Sequence, residues 1–465
     1  MPWVQYRTRV LHLYDTATGS VTELVLREPG KVSMYVCGPT VYDVPHLGHG
    51  RFTLVFDILR RYLEWSGLEV VYVSNITDVD DKIIAQAKAD GTSTAEVAER
   101  NEEAWWAAMA ALGVKVPTET PHATAYIPQM IALVERLVAS GDAYQTSDGV
   151  YLEVSRVPGY GLLARQPLDS LRAGARVATA DEKRTPLDFA LWKLAKPDEP
   201  SWPSPFGAGR PGWHTECVVM ALDLLHDGFD LHGGGADLAF PHHENERAQA
   251  VALGRSFARH WCHNGWVVDA SGEKMSKSLG NFTSLTDLLA HTDGRAYRLI
   301  VARSDYRQPL LVTPETMADA ERALVRLDTL ARRASNFGLI SSVPPDRPAL
   351  SRFAAAMDDD LDTPAATAGI FDLARAANSA FDSGQVEAGR RLAATVVELA
   401  GALGLVLRGD DQALDPVANE LVRRRDEARA SRDFASADRL RAQLEAMGWV
   451  VEDTASGTQV RRPAG

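Results

Sequence analysis

The sequence predicts an α/β fold: a parallel-sheet domain split by an insertion, then an α-helical bundle and a small α+β C-terminal domain. Three observations carry this expectation. Residues 31–37, KVSMYVC, have the β-branched and aromatic content of a buried strand. From Arg51 the apolar residues Phe52, Val55, Phe56, Leu59, Tyr62 and Leu63 recur at helical spacing as far as Gly67, and VVYVSNI (70–76) supplies a second strand. Such a strand–helix–strand unit is a right-handed parallel crossover, with its ligand site at the strands' C-terminal ends. Apolar, glycine-rich segments return between about 217 and 285 and read as the completion of the same sheet.

Between the first strand and the helix, GPTVYDVPHLGHG (38–50) holds two prolines and three glycines and reads as a loop. A polar helix is expected around 93–112 and another from about 126 to 139, followed by a short strand, GVYLEV, at 149–154. The stretch 197–213, PDEPSWPSPFGAGRPGW, carries five prolines and marks a boundary. The divisions that follow are a Rossmann-like domain at 1–114 and 211–310, interrupted by a connective insertion at 115–210. Ala-, Leu- and Arg-rich sequence with helical periodicity from 315 to 405 places the bundle at 311–408, and polar RGDDQALDP (408–416) is a linker. Helices at 417–430 and 434–446, with the strand pair WVVEDT and TQVRR, make a C-terminal domain of 417–465.

A chain of 465 residues is too long for one core, so two to four domains are expected. Hydrophobic residues at 45% and charged residues at 24% suit a soluble protein, and neither a signal-peptide core nor an uninterrupted apolar span is present, so a cytoplasmic location is expected. Three scattered cysteines, Cys37, Cys217 and Cys262, exclude a disulfide framework and leave buried thiols, metal ligands or reactive groups. The net charge of −13 argues against unspecific nucleic-acid binding, while a specific RNA partner would need a local basic surface.

Two motifs point to nucleotide chemistry. His46-Leu47-Gly48-His49 lies before a helix N-terminus, where backbone N–H groups and the helix dipole favour an anion, and Gly48 permits close approach of a flat ligand. Lys274-Met275-Ser276-Lys277-Ser278, flanked by Gly272 and Gly280, offers two cations and two hydroxyls to a triphosphate. Each alone reads more readily as a solvated surface turn. Together, about 225 residues apart on one α/β frame, they resemble the signature of class I aminoacyl-tRNA synthetases, and the usual alternative phosphate loops are absent. Cys37, Cys217, His242 and Glu246 form a third set. If PHHENE is helical, His242 and Glu246 share a face, and the mixture of sulfur, imidazole and carboxylate favours zinc. Spacing alone makes a poor metal site, because no pair is a CxxC and a cysteine in a strand is commonly core.

CGPTVYDVPHLGH, NITDVDDKI, GWHTEC, HGGGADLAFPHHENE, GEKMSKSLGN and MDDDLDTP occur in the order, and over most of the length, of the cysteinyl-tRNA synthetase family, which this chain resembles. The resemblance implies one Zn²⁺ per chain on Cys37, Cys217, His242 and Glu246, and a cysteine pocket lined by Thr77, Trp213, His232 and Asp237. ATP, brought with Mg²⁺ whose position is not assigned, would lie on His46, Gly48 and His49, with Lys274 and Lys277 on the leaving pyrophosphate. The implied partners are L-cysteine, ATP and tRNA(Cys), with no membrane; nothing in the sequence demands more than a monomer. The chemistry is consistent: size separates cysteine from serine only by roughly tenfold to 200-fold, whereas zinc bonds a thiolate and neglects a neutral hydroxyl.

Residues 421–465 carry nine arginines against seven acids, suiting either phosphate recognition or a helix laced with salt bridges. DFASADRLR and EDTASGT resemble the family's anticodon-recognition domain, but no aromatic follows Gly457-Thr458, which puts the family's base-stacking platform in doubt and shifts the expected contacts to Arg461 and Arg462, with Trp449 a core residue or a substitute platform. The nearest rival is the cysteine ligase of mycothiol synthesis, which makes the same adenylate but has an amino-sugar acceptor. ENERAQ after the paired histidines and the C-terminal domain argue against it. A relative without catalysis would lack a motif residue, and all are present. Cys262 is given no role beyond packing.

Overall fold

The computed structural model describes residues 10–165, 182–269, 272, 284–338, 342–409, 416–454 and 457–461. They fall into two compact units, one of Met1–Leu324, Asp346–Asp372 and Glu398–Val406, the other of Val325–Pro345, Leu373–Val397 and Leu407–Gly465. The first begins with an antiparallel hairpin, β1 (His12–Asp15) and β2 (Ser20–Glu23). Its centre is a four-stranded parallel sheet ordered β10-β9-β3-β4, built from β3 (Lys31–Val36), β4 (Glu69–Val73), β9 (Phe229–Gly235) and β10 (Ala258–Asn264). Five of the six β3 residues are buried, the pattern of a strand covered on both faces. The chain leaves β3 for β4 on one side and returns as β9 on the other, so the strand order reverses between β3 and β9. In open parallel sheets that reversal is where a ligand crevice opens.

Helix α1 (Leu47–Trp65) makes the crossover from β3 to β4, and starts four residues earlier than apolar spacing predicts. After α2 (Asp81–Asp90), α3 (Thr94–Ala111) and α4 (Ile127–Ala139) comes a second sheet, antiparallel and ordered β5-β6-β7-β8. Its strands are Ala143–Gln145, Gly149–Leu152, Phe189–Leu194 and Gly209–Pro211. The last lies in the proline-rich stretch read as a boundary; Pro211 sits on an edge strand, where a missing N–H does no harm. The 115–210 segment does not bury a separate core: Leu137, Val150, Leu152 and Trp192 belong to one cluster with Tyr35, Cys37, Val73 and Cys217.

Helix α5 (Trp213–Leu224) precedes β9, and α6 (Glu244–Ala252) connects β9 to β10. A short parallel pair, β11 (Val267–Val268) and β12 (Leu310–Leu311), flanks α7 (Leu285–His291) and α8 (Gly294–Ala302). Helices α9 (Pro314–Ser335), α10 (Arg347–Met357), α11 (Thr363–Asp382) and α12 (Val386–Ala402) occupy the stretch expected to be a bundle. At the C-terminal end α13 (Pro416–Ala430), α14 (Phe434–Ala446) and the hairpin β13 (Val450–Thr454)–β14 (Gly457–Arg461) close over Ala418, Leu421, Leu440, Leu444, Trp449 and Val451. Trp449 is therefore core. Among the described residues no helix is long and apolar enough to cross a membrane.

Candidate metal and nucleotide site

Cys37 continues β3 by one residue, its N–H bonding Gly233 O at 3.2 Å, so its side chain stands at the C-terminal edge of the sheet beside the reversal point. Gly38 follows because nothing larger fits: a Cβ there would stand 1.7 Å from Asn75 O. Cys217 lies on α5 and Glu246 on α6, while His242 belongs to the turn just before α6, whose backbone is extended at Phe240. The structure brings one ligand atom from each of Cys37, Cys217, His242 and Glu246 within 4.8 Å of all the others, and all four residues are buried. The two sulfurs are 3.8 Å apart, Cys37 Sγ is 3.4 Å from Glu246 Oε1, and His242 Nε2 is 2.7 Å from the same oxygen. Two sulfurs bound tetrahedrally at 2.3 Å would stand about 3.8 Å apart, so this thiol pair is spaced as metal ligands, well beyond a disulfide.

Burial and mutual contact perturb the protonation of all four groups. Burial, then the neighbouring Cys217, pushes the Cys37 thiol well above its ordinary pKa. The hydrogen bond from Cys37 is the main reason Cys217 falls to about 6. Burial pulls the His242 imidazole down, but the Glu246 charge and the hydrogen bond it donates to Cys217 overcome it and hold it at about 10. Burial likewise pushes the Glu246 carboxyl up, and the His232 and His242 charges more than reverse it. The proton favoured on His242 thus offsets the charge favoured on Cys217 and Glu246.

The surrounding residues orient these four. His232 lies between two acceptors, Tyr35 O at 3.0 Å from its Nδ1 and Glu246 Oε2 in close contact with its Nε2. His214 Nδ1 is 2.8 Å from His242 Nδ1, and the Trp213 ring stacks on His242 at 4.0 Å. His243 stacks on His232 at 4.2 Å, and Cys37, His232, His243 and Glu246 form a second, overlapping group of potential ligands. Thr77, buried, donates to Glu216 Oε2 and accepts from Asn75 Nδ2, each at 3.1 Å. Asp237 is exposed, two residues past the end of β9. Sequence reasoning missed Tyr35, Asn75, His214, Glu216 and His243. Three of these flank residues already singled out, and adjacency was the only available signal.

The HLGH segment needs correction. It is no loop: His46 is the N-cap of α1, its ring accepting from His49 N at 3.2 Å, while His49 Nδ1 accepts from His46 N at 3.2 Å. Some of the helix's unpaired N–H groups are therefore already used. With Nδ1 accepting, each neutral ring carries its proton on Nε2 and presents that as a donor. The rings stack at 3.7 Å, and burial pulls His49 well below the ordinary imidazole pKa. Gly48 makes room for its neighbour first, since a Cβ there would lie 2.8 Å from the His46 ring. Lys274 and Lys277 lie outside the described residues.

In the C-terminal unit, much of the arginine surplus is internally committed. Arg425, buried, pairs with Asp453 at 2.8 Å, joined by Arg429 at 2.7 Å; Arg423 reaches Glu420 at 2.6 Å, and Arg441 reaches Glu445 at 2.8 Å. That is the salt-bridge reading of this segment. The Arg461 side chain and all of Arg462 lie outside the described residues.

Comparison with known proteins bears on all three regions. Residues 23–322 match the family model of the class I (C) tRNA synthetase catalytic domain, 352–408 the DALR domain, and 411–461 the cysteinyl-tRNA ligase anticodon binding domain. The chain is 45% identical to a cysteine–tRNA ligase of Chromobacterium violaceum over 97% of its length and 100% of that protein. It is equally 45% identical to one of Halorhodospira halophila, with 97% and 100% covered. In overall fold it is similar to Mycobacterium tuberculosis methionyl-tRNA synthetase bound by methionyl-adenylate (TM-score 0.62, 16% identity, 88% and 96% covered). It is also similar to an Agrobacterium radiobacter LeuRS–tRNA–LeuAMS complex (TM-score 0.60, 12% identity, 81% and 85% covered). With a family model spanning most of the chain and near full-length relatives at this identity, the chain belongs to the cysteinyl-tRNA synthetases, the class I family of ATP-dependent cysteine–tRNA ligases.

Proposed function

We propose that this chain activates L-cysteine with ATP, transfers it to the 3′ end of tRNA(Cys), and selects its substrate through one zinc ion on Cys37, Cys217, His242 and Glu246. The observation that carries the reading is the convergence of two buried sulfurs, an imidazole and a carboxylate at the edge of β3, with ligand atoms within 4.8 Å of one another. Zinc bound there supplies a thiophilic Lewis acid, which lowers the pKa of an incoming thiol and leaves a hydroxyl poorly bound.

The chain's own residues do the rest. His232 fixes the Glu246 carboxylate by holding its second oxygen, and Trp213 fixes the His242 ring. Trp213 and Thr77 wall the pocket, and Asp237 takes the substrate ammonium. His46 and His49 offer Nε2–H donors to the phosphates of ATP, which arrives with Mg²⁺. The cysteine carboxylate attacks the α-phosphorus; its new O–P bond replaces the bond to pyrophosphate, whose growing charge Lys274 and Lys277 neutralise. The terminal adenosine 2′-hydroxyl then attacks the adenylate carbonyl, and AMP leaves. Catalysis is by position and electrostatics, with no covalent enzyme nucleophile. The insertion at 115–210 connects the halves of the catalytic domain at 1–114 and 211–310. Residues 311–408 contact the tRNA stem and 417–465 read the anticodon, in a monomeric, cytoplasmic enzyme.

The decisive assay offers the purified protein cysteine, ATP and either tRNA(Cys) or the glucosaminyl-inositol acceptor of mycothiol synthesis. Acylated tRNA is expected. Amide formation on the amino sugar with no charged tRNA overturns the assignment of acceptor.

A further inference from the structure

Two sequence motifs, NITDVDDKI and GWHTEC, meet in a buried chain of polar side chains. Asn75 and Thr77 come from the first and Glu216 from the second, and all three are buried. The Thr77 main chain is pinned in both directions to the segment that runs from Cys37 to the HLGH turn. Its N–H bonds Pro39 O at 3.0 Å, and its carbonyl accepts from Val41 N at 3.2 Å. Asn75 Oδ1 accepts from Gly38 N at 3.0 Å and lies 3.7 Å from Cys217 Sγ, so the chain adjoins the sulfurs at the edge of the sheet.

Hydrogen bonding fixes the polarity of the Thr77 hydroxyl. Because Asn75 turns its Oδ1 to a main-chain N–H, its amide nitrogen faces Thr77 and donates to Oγ1 at 3.1 Å. The Thr77 proton goes the other way, to Glu216 Oε2 at 3.1 Å. A hydroxyl has one proton and two lone pairs, so the proton and one lone pair are committed. Among the described residues nothing takes the second lone pair. Thr77 therefore offers a ligand a lone pair and no proton. With an apolar residue at position 216 that proton would be free to turn toward the ligand. The flanking charge has the same preference: Asp78 and Asp80, from the same motif as Thr77, lie close enough to act on Glu216, and they favour a cation over a phosphate or a carboxylate.

We propose that Glu216 is a positioning residue for amino-acid recognition: by holding the Thr77 hydroxyl proton, it leaves the free Thr77 lone pair to accept from the substrate ammonium. This rests on the reading that cysteine occupies the pocket beside the Cys37–Cys217 pair. An ammonium has three donors and no acceptor, so it matches an acceptor-only hydroxyl and still has N–H groups for Asp237, whereas a carboxylate would meet lone pair against lone pair. Asn75 holds the same hydroxyl from its other side. Glu216 touches no substrate atom and acts through Thr77.

The test uses the full-length protein and two thiols as competitive inhibitors of cysteine-dependent pyrophosphate exchange. Cysteamine keeps the ammonium and lacks the carboxylate; 3-mercaptopropionate keeps the carboxylate and lacks the ammonium. Glu216→Met conserves length and removes the acceptor. It is expected to raise the inhibition constant of cysteamine and the KM for cysteine on the order of tenfold, the effect of one hydrogen bond to a charged group. The constant for 3-mercaptopropionate and the KM for ATP should stay within about twofold of the parent. Glu216→Gln, which retains an acceptor oxygen, is expected to recover most of the loss. Thr77→Val should reproduce Glu216→Met, and the double variant should be no worse than Thr77→Val alone, because the two residues act as one unit. Equal weakening of both thiols by Glu216→Met, or additive losses in the double variant, overturns the role of Glu216. Should Glu216→Met not fold, the other two single variants decide: a Thr77→Val loss shared by both thiols, or a Glu216→Gln as weak as Thr77→Val, overturns it. A parent without cysteine-dependent exchange overturns the reading of function and this inference together.

Discussion

At the residue scale the site is a contest between protons and a cation. Burial holds the Cys37 proton on, and Glu246 and Cys217 hold the His242 proton on to about pH 10, so the proposed metal would have to expel both. Raised pKa values in the metal-free state mean that zinc binding releases protons and tightens as pH rises through neutrality. Competition titrations at pH 6 and 8 should show clearly tighter binding at 8, whereas equal affinity would contradict this ordering of charges. Lys277→Ala should slow cysteine-dependent pyrophosphate exchange far more than it weakens cysteine binding, since its charge matters only as pyrophosphate leaves; equal losses would remove the lysine from that role. Little of this was legible from spacing. Cys37 and Cys217 are 180 residues apart, and only the resemblance of whole motifs put them together. His214 was hidden because a partner of a ligand carries no pattern of its own.

At the element scale α1 carries the proposed ATP site in its first turn, the HLGH motif. Its middle is pinned by a buried network. Asp57 accepts from Arg298 at 2.5 Å, Arg61 at 2.7 Å and Lys115 N at 2.9 Å, and Arg298 also caps the carbonyls of Leu112, Gly113 and Leu403. Burial pushes the Asp57 pKa up, but Arg298 and Arg61 pull it down further, so the net shift is downward. A depressed folded pKa contributes stability above the ordinary carboxylate range, lost as pH falls through the folded value. Asp57→Asn, which leaves Arg298 buried without its partner, should cost about 3–5 kcal/mol in denaturant unfolding at pH 7. It should also flatten the acid limb of the stability profile. A loss below about 1 kcal/mol, the range of an exposed pair, would mean that the network is not stabilising. The start of α1 escaped prediction because histidine is not among the usual N-caps and the glycines of 38–50 read as loop. Strand β8 escaped for a related reason: a short edge strand tolerates the prolines that argue against a central one.

At the scale of the whole molecule the chain combines a catalytic frame with domains that only a macromolecular substrate requires. The parallel sheet was legible because a strand covered on both faces is continuously apolar, and the C-terminal helices and hairpin were legible from short periodic runs. The fate of the arginines was not, since the sequence cannot tell a phosphate fork from an internal ion pair such as Arg425–Asp453. Truncation after Arg408 should therefore preserve pyrophosphate exchange while tRNA charging falls on the order of tenfold or more at physiological salt; parallel loss of both would tie the C-terminal residues to the chemistry itself. The claim on which everything rests is recognition of the substrate through sulfur. The most direct measurement is zinc content together with ATP–pyrophosphate exchange driven by cysteine, serine or threonine, in the parent and in Cys37→Ser. The account predicts one zinc per parent chain and exchange with cysteine alone, then loss of both metal and discrimination in the variant. A variant that retains full zinc and full selectivity would contradict it.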